Sequence, residues 1–166
     1  MSDKKYMKKE LKSHIDYESK KEFKESFIDV FPVYDADFPL EEYSPYDASF
    51  KCKRKGSDKE TGCLVEIKRR RIQSNRFSDS LLEEAKYNKM RNLAYRIQKE
   101  KGMECIPYYC AMYDDCFYMF RIDKCRVRKD TVTCGKTTDF SNTRRVSKPM
   151  VYFDFKEGVR YEYRNK

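Results

Sequence analysis

The stretch "CLVEIKRRR", residues 63–71, sets Glu66 and Lys68 two positions apart in an otherwise apolar run that ends in three arginines. In a strand, side chains alternate faces. Val65 and Ile67 then share one face, while Leu64, Glu66 and Lys68 share the other, with neighbours on a face about 7 Å apart. An acid and a base on one face are compatible with two readings: a half-buried strand with a solvated basic end, or a polar site that faces phosphate. The flanking sequence bears on the choice.

Upstream, "YDASFKCK" at 46–53 alternates as a strand does and "GSDKETG" at 56–62 has turn composition, so "CLVEIKRR" is expected to return as the second arm of a hairpin. Asp47 then lies near the end of the partner strand, within approach of Glu66. Two carboxylates and a backbone carbonyl, here that of Ile67, are the oxygen donors that suit Mg²⁺, or Mn²⁺ in its place. A lysine beside them can orient an attacking water or offset charge on a pentacovalent phosphate.

Downstream, Ser80 followed by Glu83 has the pattern of a capping box, and Met90, Leu93, Ala94 and Ile97 follow at helical spacing toward Gly102. At 100° per residue Tyr87 and these four fall within about 60° of Met90, and so do Glu83, at about 20°, and Lys86, at about 40° on the other side. A Glu and a Lys on the buried stripe cost several kcal/mol unless paired or metal-linked, which suggests a polar site between helix and sheet; the other reading is that the stripe leaves the core there and Glu83 only caps.

Asp47, then Glu66-x-Lys68 on a strand, then a helix carrying "EEAKYNKM" and an aromatic strand, together resemble the PD-(D/E)XK nuclease superfamily, in particular its small phage-type members, over roughly residues 46–122. The resemblance implies an α/β fold with a central mixed β-sheet flanked by helices, restriction-endonuclease-like. It also implies that Asp47 and Glu66 hold a divalent metal, that Lys68 assists the nucleophilic water, and that Glu83 and Lys86 are the helix's polar contribution. The first motif departs from the family pattern: in "PYDAS", Tyr46 stands between Pro45 and Asp47. The family often places a Glu on its N-terminal helix, but Glu18, Glu22 and Glu25 all fall off the Phe23/Phe27/Phe31 stripe, so none is assigned.

Composition bounds the rest. At 166 residues, with 39% hydrophobic and 15% aromatic side chains, the chain is expected to fold as a single domain spanning 1–166, with 1–14 flexible and 123–166 a C-terminal extension ending in a hairpin of "MVYFDF" and "VRYEY". There are 37 Lys+Arg against 28 Asp+Glu, a net charge of +9, which favours a polyanionic partner. DNA is the expected one. Arg69, Arg70, Arg71 and Arg76 are candidates for sequence-independent phosphate contacts. A second basic stretch, Arg121 to Lys148, reads as a loop that could extend the groove. A first helix is expected from Asp16 to Phe31, then an irregular acidic connector from residue 29 to 49 whose six carboxylates include Glu42.

The only histidine, His14, lies in a Lys-rich stretch, which argues against imidazole chemistry, and no glycine motif cradles a nucleotide. Seven cysteines without a C-x-x-C pair, in a chain with no secretion signal, point to reduced thiols rather than zinc or disulfides. No run spans a bilayer, so a soluble intracellular protein is expected, in the host cytoplasm if phage-encoded. The functional expectation is a metal-dependent deoxyribonuclease. A homodimer would supply the two sites that a double-strand cut needs. The alternatives are a non-catalytic nucleic-acid-binding or partner-binding module on the same scaffold and, third, an RNA-directed enzyme.

Overall fold

The computed structural model describes residues 14, 16–41, 44–135 and 144–164. The expected flexible segment falls outside these residues apart from His14, and so does Glu42. The fold is α/β, with a mixed six-stranded sheet between two helices and a smaller three-stranded sheet beside the second helix.

Helix α1, residues 16–23, continues as a π-helical turn over Lys24–Ile28. Phe23, Phe27 and Ile28 are buried, whereas Val30 and Phe31 lie past the helix and are substantially exposed. The expected helix is therefore shortened at its C-terminal end by the wider turn, and Phe31 instead packs on the rings of Phe27 and Tyr161.

Strand β1 (Val33–Asp37) pairs antiparallel with β2 (Ala48–Lys53), which pairs antiparallel with β3 (Glu60–Arg69). The hairpin of β2 and β3 is the expected one, although its turn closes by Glu60. The irregular connector is corrected by β1. Its acids sit on a sheet edge, where Asp35 meets Lys51 across the ladder at 2.9 Å and the Tyr34 hydroxyl donates to Glu60 at 2.9 Å. Pairing with β2 outweighs the poor strand propensity of the acids.

After β3 the chain makes the short strand β4 (Asp79–Glu83) and enters helix α2 (Glu84–Lys101) directly. The expected capping box is overturned: Ser80 lies inside β4 with its hydroxyl buried 2.9 Å from the Tyr109 hydroxyl, and Glu83 makes no side-chain cap. Helix α2 buries Tyr87, Met90 and Ala94 and ends at Gly102, whose φ of 62° is the left-handed conformation that glycine supplies without strain. It crosses over to β5 (Glu104–Met112), parallel to β3 from Thr61↔Glu104 to Arg69↔Met112. Strand β6 (Cys116–Arg121) follows antiparallel.

Among its described residues, the basic stretch read as a loop is mostly β-structure. Strands β7 (Val127–Gly135) and β8 (Arg145–Asp154) pair antiparallel, and β8 also pairs with β4 to make the second sheet. At the C-terminus, β8 and β9 (Val159–Glu162) are joined by the tight turn Phe155–Glu157. The arms then part, β8 remaining in the second sheet while β9 adds to β6 at the edge of the first.

Two cores result. Val65, Ile67 and Phe50 face Phe23 and Phe27 of α1, together with Phe117 and Tyr163. Leu64, Tyr109 and Phe120 face Tyr87 and Met90 of α2, joined by Val151 and Phe153 of β8. The β3 alternation expected from "CLVEIKRR" is realised, one apolar set on each side. All seven cysteines are free thiols, and no helix of the described residues is long and apolar enough to cross a membrane.

Candidate active site

The α2 face of β3 carries Leu64, then Glu66, then Lys68. Glu66 is 0% exposed and is the sole charged side chain among the buried residues described. A lone carboxylate there would cost several kcal/mol, so the ions around it decide whether the fold tolerates it. Lys68 brings its Nζ to 2.7 Å from Oε1, and Lys86, in the first turns of α2, donates to Oε2 at 3.1 Å. Both lysine side chains reach outward, 40% and 31% exposed, so the buried acid sits under two partly solvated cations.

Asp47 immediately precedes β2. Its backbone N–H donates to the Val65 carbonyl at 2.8 Å, and its Oδ2 accepts from the Ile67 N–H at 2.7 Å. Strand β2 pairs β3 only as far as Ala48↔Val65, so the Asp47 side chain takes up the next donor along that edge. By strand alternation the Ile67 carbonyl points to the same edge, beyond the last pair. Burial pushes the Asp47 carboxyl above its usual range, and the negative charge of Glu66 adds to this; the Ile67 hydrogen bond and the Lys68 charge pull the other way without prevailing. For Lys68, desolvation lowers the ammonium's pKa, but Glu66 and Asp47 together outweigh it and the net shift is upward.

Asp47, Glu66, Lys68 and Lys86 thus form one group of formal charge zero. Glu66 Oε1 is buried and accepts no hydrogen bond: Lys68 meets it as an ion without hydrogen-bond alignment. A buried glutamate oxygen met by one ammonium, next to an aspartate whose charged form burial disfavours, is an oxygen donor pair of the kind that suits a hard divalent cation. Among the described residues no cluster of three or more acidic, Cys or His side chains exists.

Glu83 is not part of this group. It ends β4, is half-exposed, and its Oε1 meets Lys148 of β8 at 2.7 Å. That hydrogen bond holds its carboxyl below the usual glutamate range, helped by the charges of Lys68 and Lys86. Glu83 therefore stands at the rim, within the field of the two lysines. Its displacement follows from the helix starting three residues later than the capping pattern suggests, at Glu84 rather than Leu81.

The arginines divide. Arg69 points to the α1 side, ion-pairs with Glu22 and lies 5.8 Å from the Tyr163 ring centre. Arg70 is engaged internally, donating to the Leu81 carbonyl and to the Tyr109 hydroxyl at 3.2 Å. Arg71 and Arg76 are exposed. Two of the triplet's three guanidiniums thus have partners within the fold. Glu22, Leu81 and Tyr109 supply those partnerships across 11 to 47 residues of chain, and no local pattern announces them.

Comparison of the chain with models of protein families, with curated proteins and with solved structures finds no match.

Proposed function

We propose that the protein is a divalent-metal-dependent deoxyribonuclease of PD-(D/E)XK type, hydrolysing phosphodiester bonds with water. The observation that carries the proposal is Glu66, a wholly buried acid whose Oε1 is met by the Lys68 ammonium at 2.7 Å, beside the buried Asp47 carboxyl. A carboxylate kept in the core at such cost, when a leucine would fill the space, points to chemistry rather than stability.

Asp47, Glu66 and the Ile67 carbonyl would hold Mg²⁺ or Mn²⁺, which when bound supplies Lewis acidity toward the attacking water and the phosphate. Lys68 places an ammonium beside the reacting phosphate, able to orient the water and to stabilise the added negative charge. Lys86 donates to the second Glu66 oxygen at 3.1 Å and so fixes the orientation of the carboxyl. Because the four side chains sum to zero charge, a bound dication leaves the site at +2, which favours the entry of an anionic phosphate.

Incubation with Mg²⁺ or Mn²⁺ and linear, nicked, branched and single-stranded DNA tests the proposal. Cleavage of at least one substrate is expected, and Lys68→Ala should lose about 10²–10³ in rate, the usual worth of one charge-stabilising donor, while keeping the wild-type circular dichroism. Cleavage of none by the wild type would overturn it.

The second reading, a non-catalytic nucleic-acid-binding or partner-binding module, draws on one observation: two lysines already balance Glu66, as a structural ion triad requires. It predicts no metal binding and a tolerant Glu66.

A further inference from the structure

Helix α2 is 18 residues long, about 27 Å at 1.5 Å per residue, and packs by one side only. Along the other side Asn88, Lys89, Asn92, Tyr95, Arg96 and Lys99 are all exposed, Tyr95 by 66%. At 100° per residue, Asn92, Arg96 and Lys99 fall within about 80° of Lys89 on one side, and Lys86 lies about 60° away on the other. A row of cations therefore starts at the candidate site, where Lys86 donates to Glu66, and continues down the helix toward the Thr61 end of β3.

An ordinary solvated helix face mixes acids with bases, which pair at i,i+4 and stabilise the helix. Residues 85–99 instead hold Lys86, Lys89, Arg91, Arg96 and Lys99 and no acid. Glu84, before them, is engaged by Lys129, and Glu100 stands in the last turn. Lys86 and Lys89, and again Arg96 and Lys99, are three residues apart, where like charges repel across the helix surface. Lys89, Arg96 and Lys99 have no ion-pair or hydrogen-bond partner for their side chains among the described residues, so helix stability does not explain them.

We infer that this face of α2 tracks the backbone of duplex DNA, with Lys89, Arg96 and Lys99 on phosphates of the stretch that leads away from the scissile bond. Charge complementarity names the partner. A duplex presents about one negative charge per 1.7 Å of its axis, so about 8 base pairs of straight rod lie along the length of α2. Asn88 and Asn92 add amide donors of the kind that bind phosphate oxygens without reading sequence. A single strand is held by bases stacked on successive aromatic rings, and Tyr95 is the one ring exposed on this face. The inference rests on the nuclease reading for the choice of DNA and for what the row serves, which is to align the duplex with Glu66.

Anisotropy titrations in EDTA, where nothing is cut, compare a short labelled DNA duplex with its single strand, and use polyglutamate as a competitor. The duplex should bind about tenfold or more tighter than the single strand, and polyglutamate at equal charge should not displace it. Lys89→Gln/Arg96→Gln keeps good helix formers at both positions and should melt as wild type does. It should lose about tenfold in duplex affinity, with a salt slope shallower by about two. Lys21→Gln/Lys24→Gln makes the same change of charge on the α1 side of the main sheet and should leave affinity within about twofold of wild type. Unchanged affinity in the α2 variant, an equal loss in the α1-side variant, or an equally tight single strand would overturn the inference, and so would displacement by polyglutamate, the mark of an acidic protein partner. Cleavage is read separately in Mg²⁺. A protein that binds in this way and cuts nothing loses the nuclease reading and keeps the α2 face, while one that cuts although the α2 variant binds normally keeps the nuclease reading and loses the face.

Discussion

Two carboxylates side by side at Asp47 and Glu66, one of them with no exposure, are a local source of instability that a metal or a lost charge would relieve. Asp47 has its pKa raised in the folded state by burial and by Glu66, so its ionised form weakens the fold at any pH above that raised value. Asp47→Asn keeps an oxygen for the Ile67 N–H and removes the repulsion. It should melt higher than wild type at neutral pH, by roughly 0.5–2 kcal/mol in stability. That gain should vanish below the ordinary aspartate value of about 3.9, where the wild-type carboxyl is protonated folded or unfolded. Melting curves across pH read both limbs; a variant less stable than wild type at neutral pH would contradict the account. Lys86→Met works in the opposite direction. It leaves Glu66 with one cation and should cost about 1–3 kcal/mol by urea unfolding, less than the loss of a sole buried partner because Lys68 remains. Of the site, Glu66, Lys68 and the approach of Asp47 were legible because strand alternation and one short turn determine them. Lys86 followed from helical periodicity. Glu83 satisfied the same periodicity and still fell outside, since its placement depends on where α2 begins.

Elements with a core beneath one face advertise themselves, and elements without one do not. Strands β2, β3, β5 and β6 alternate or run apolar because each packs against a helix. Strand β1, on an edge, and the outer β7–β8 ribbon carry no such pattern, and their polar sequences read as connector and loop. Strand β4 was hidden for a different reason. Its Ser80 and Glu83 imitate a helix cap, and only the long-range pairing with β8 and the Tyr109 hydroxyl show otherwise. The turn between β8 and β9 offers an element-scale prediction. Gly158, which follows the turn and leads into β9, lies against the Phe120 ring, and a Cβ there would stand 2.6 Å from its Cε1. Phe120 is wedged between Tyr109 and Phe153, with ring centres 5.7 and 5.2 Å away, so it cannot yield cheaply. Gly158→Ala should therefore destabilise by about 1–3 kcal/mol from overpacking, although its backbone conformation suits alanine. Chemical denaturation checks it, and an unchanged midpoint would show that the β6–β9 edge is softer than its packing implies.

At the scale of the whole molecule, α1 and α2 clamp the main sheet from its two sides, and the candidate site lies where β2 begins, β3 continues beyond their last pair and the first turns of α2 arrive. Three elements of distant sequence hold its four side chains, so the site exists only in the folded chain, and a ligand that bridges them should stabilise the fold by mass action. Mg²⁺ or Mn²⁺ should raise the melting temperature of wild type in proportion to the logarithm of its excess over Kd, and should leave Glu66→Gln unmoved. The net charge of +9 biases encounters toward polyanions, while two of the Arg69–Arg71 guanidiniums bind within the fold. The most direct measurement of the central claim is calorimetric titration of Mn²⁺ into wild type and Glu66→Gln at the same pH. Saturable binding by wild type, lost in Glu66→Gln while that variant melts as a folded protein, is the result predicted. Wild type that binds no metal, or a Glu66→Gln variant that binds it equally well, would contradict the account and leave Glu66, Lys68 and Lys86 as a structural ion triad.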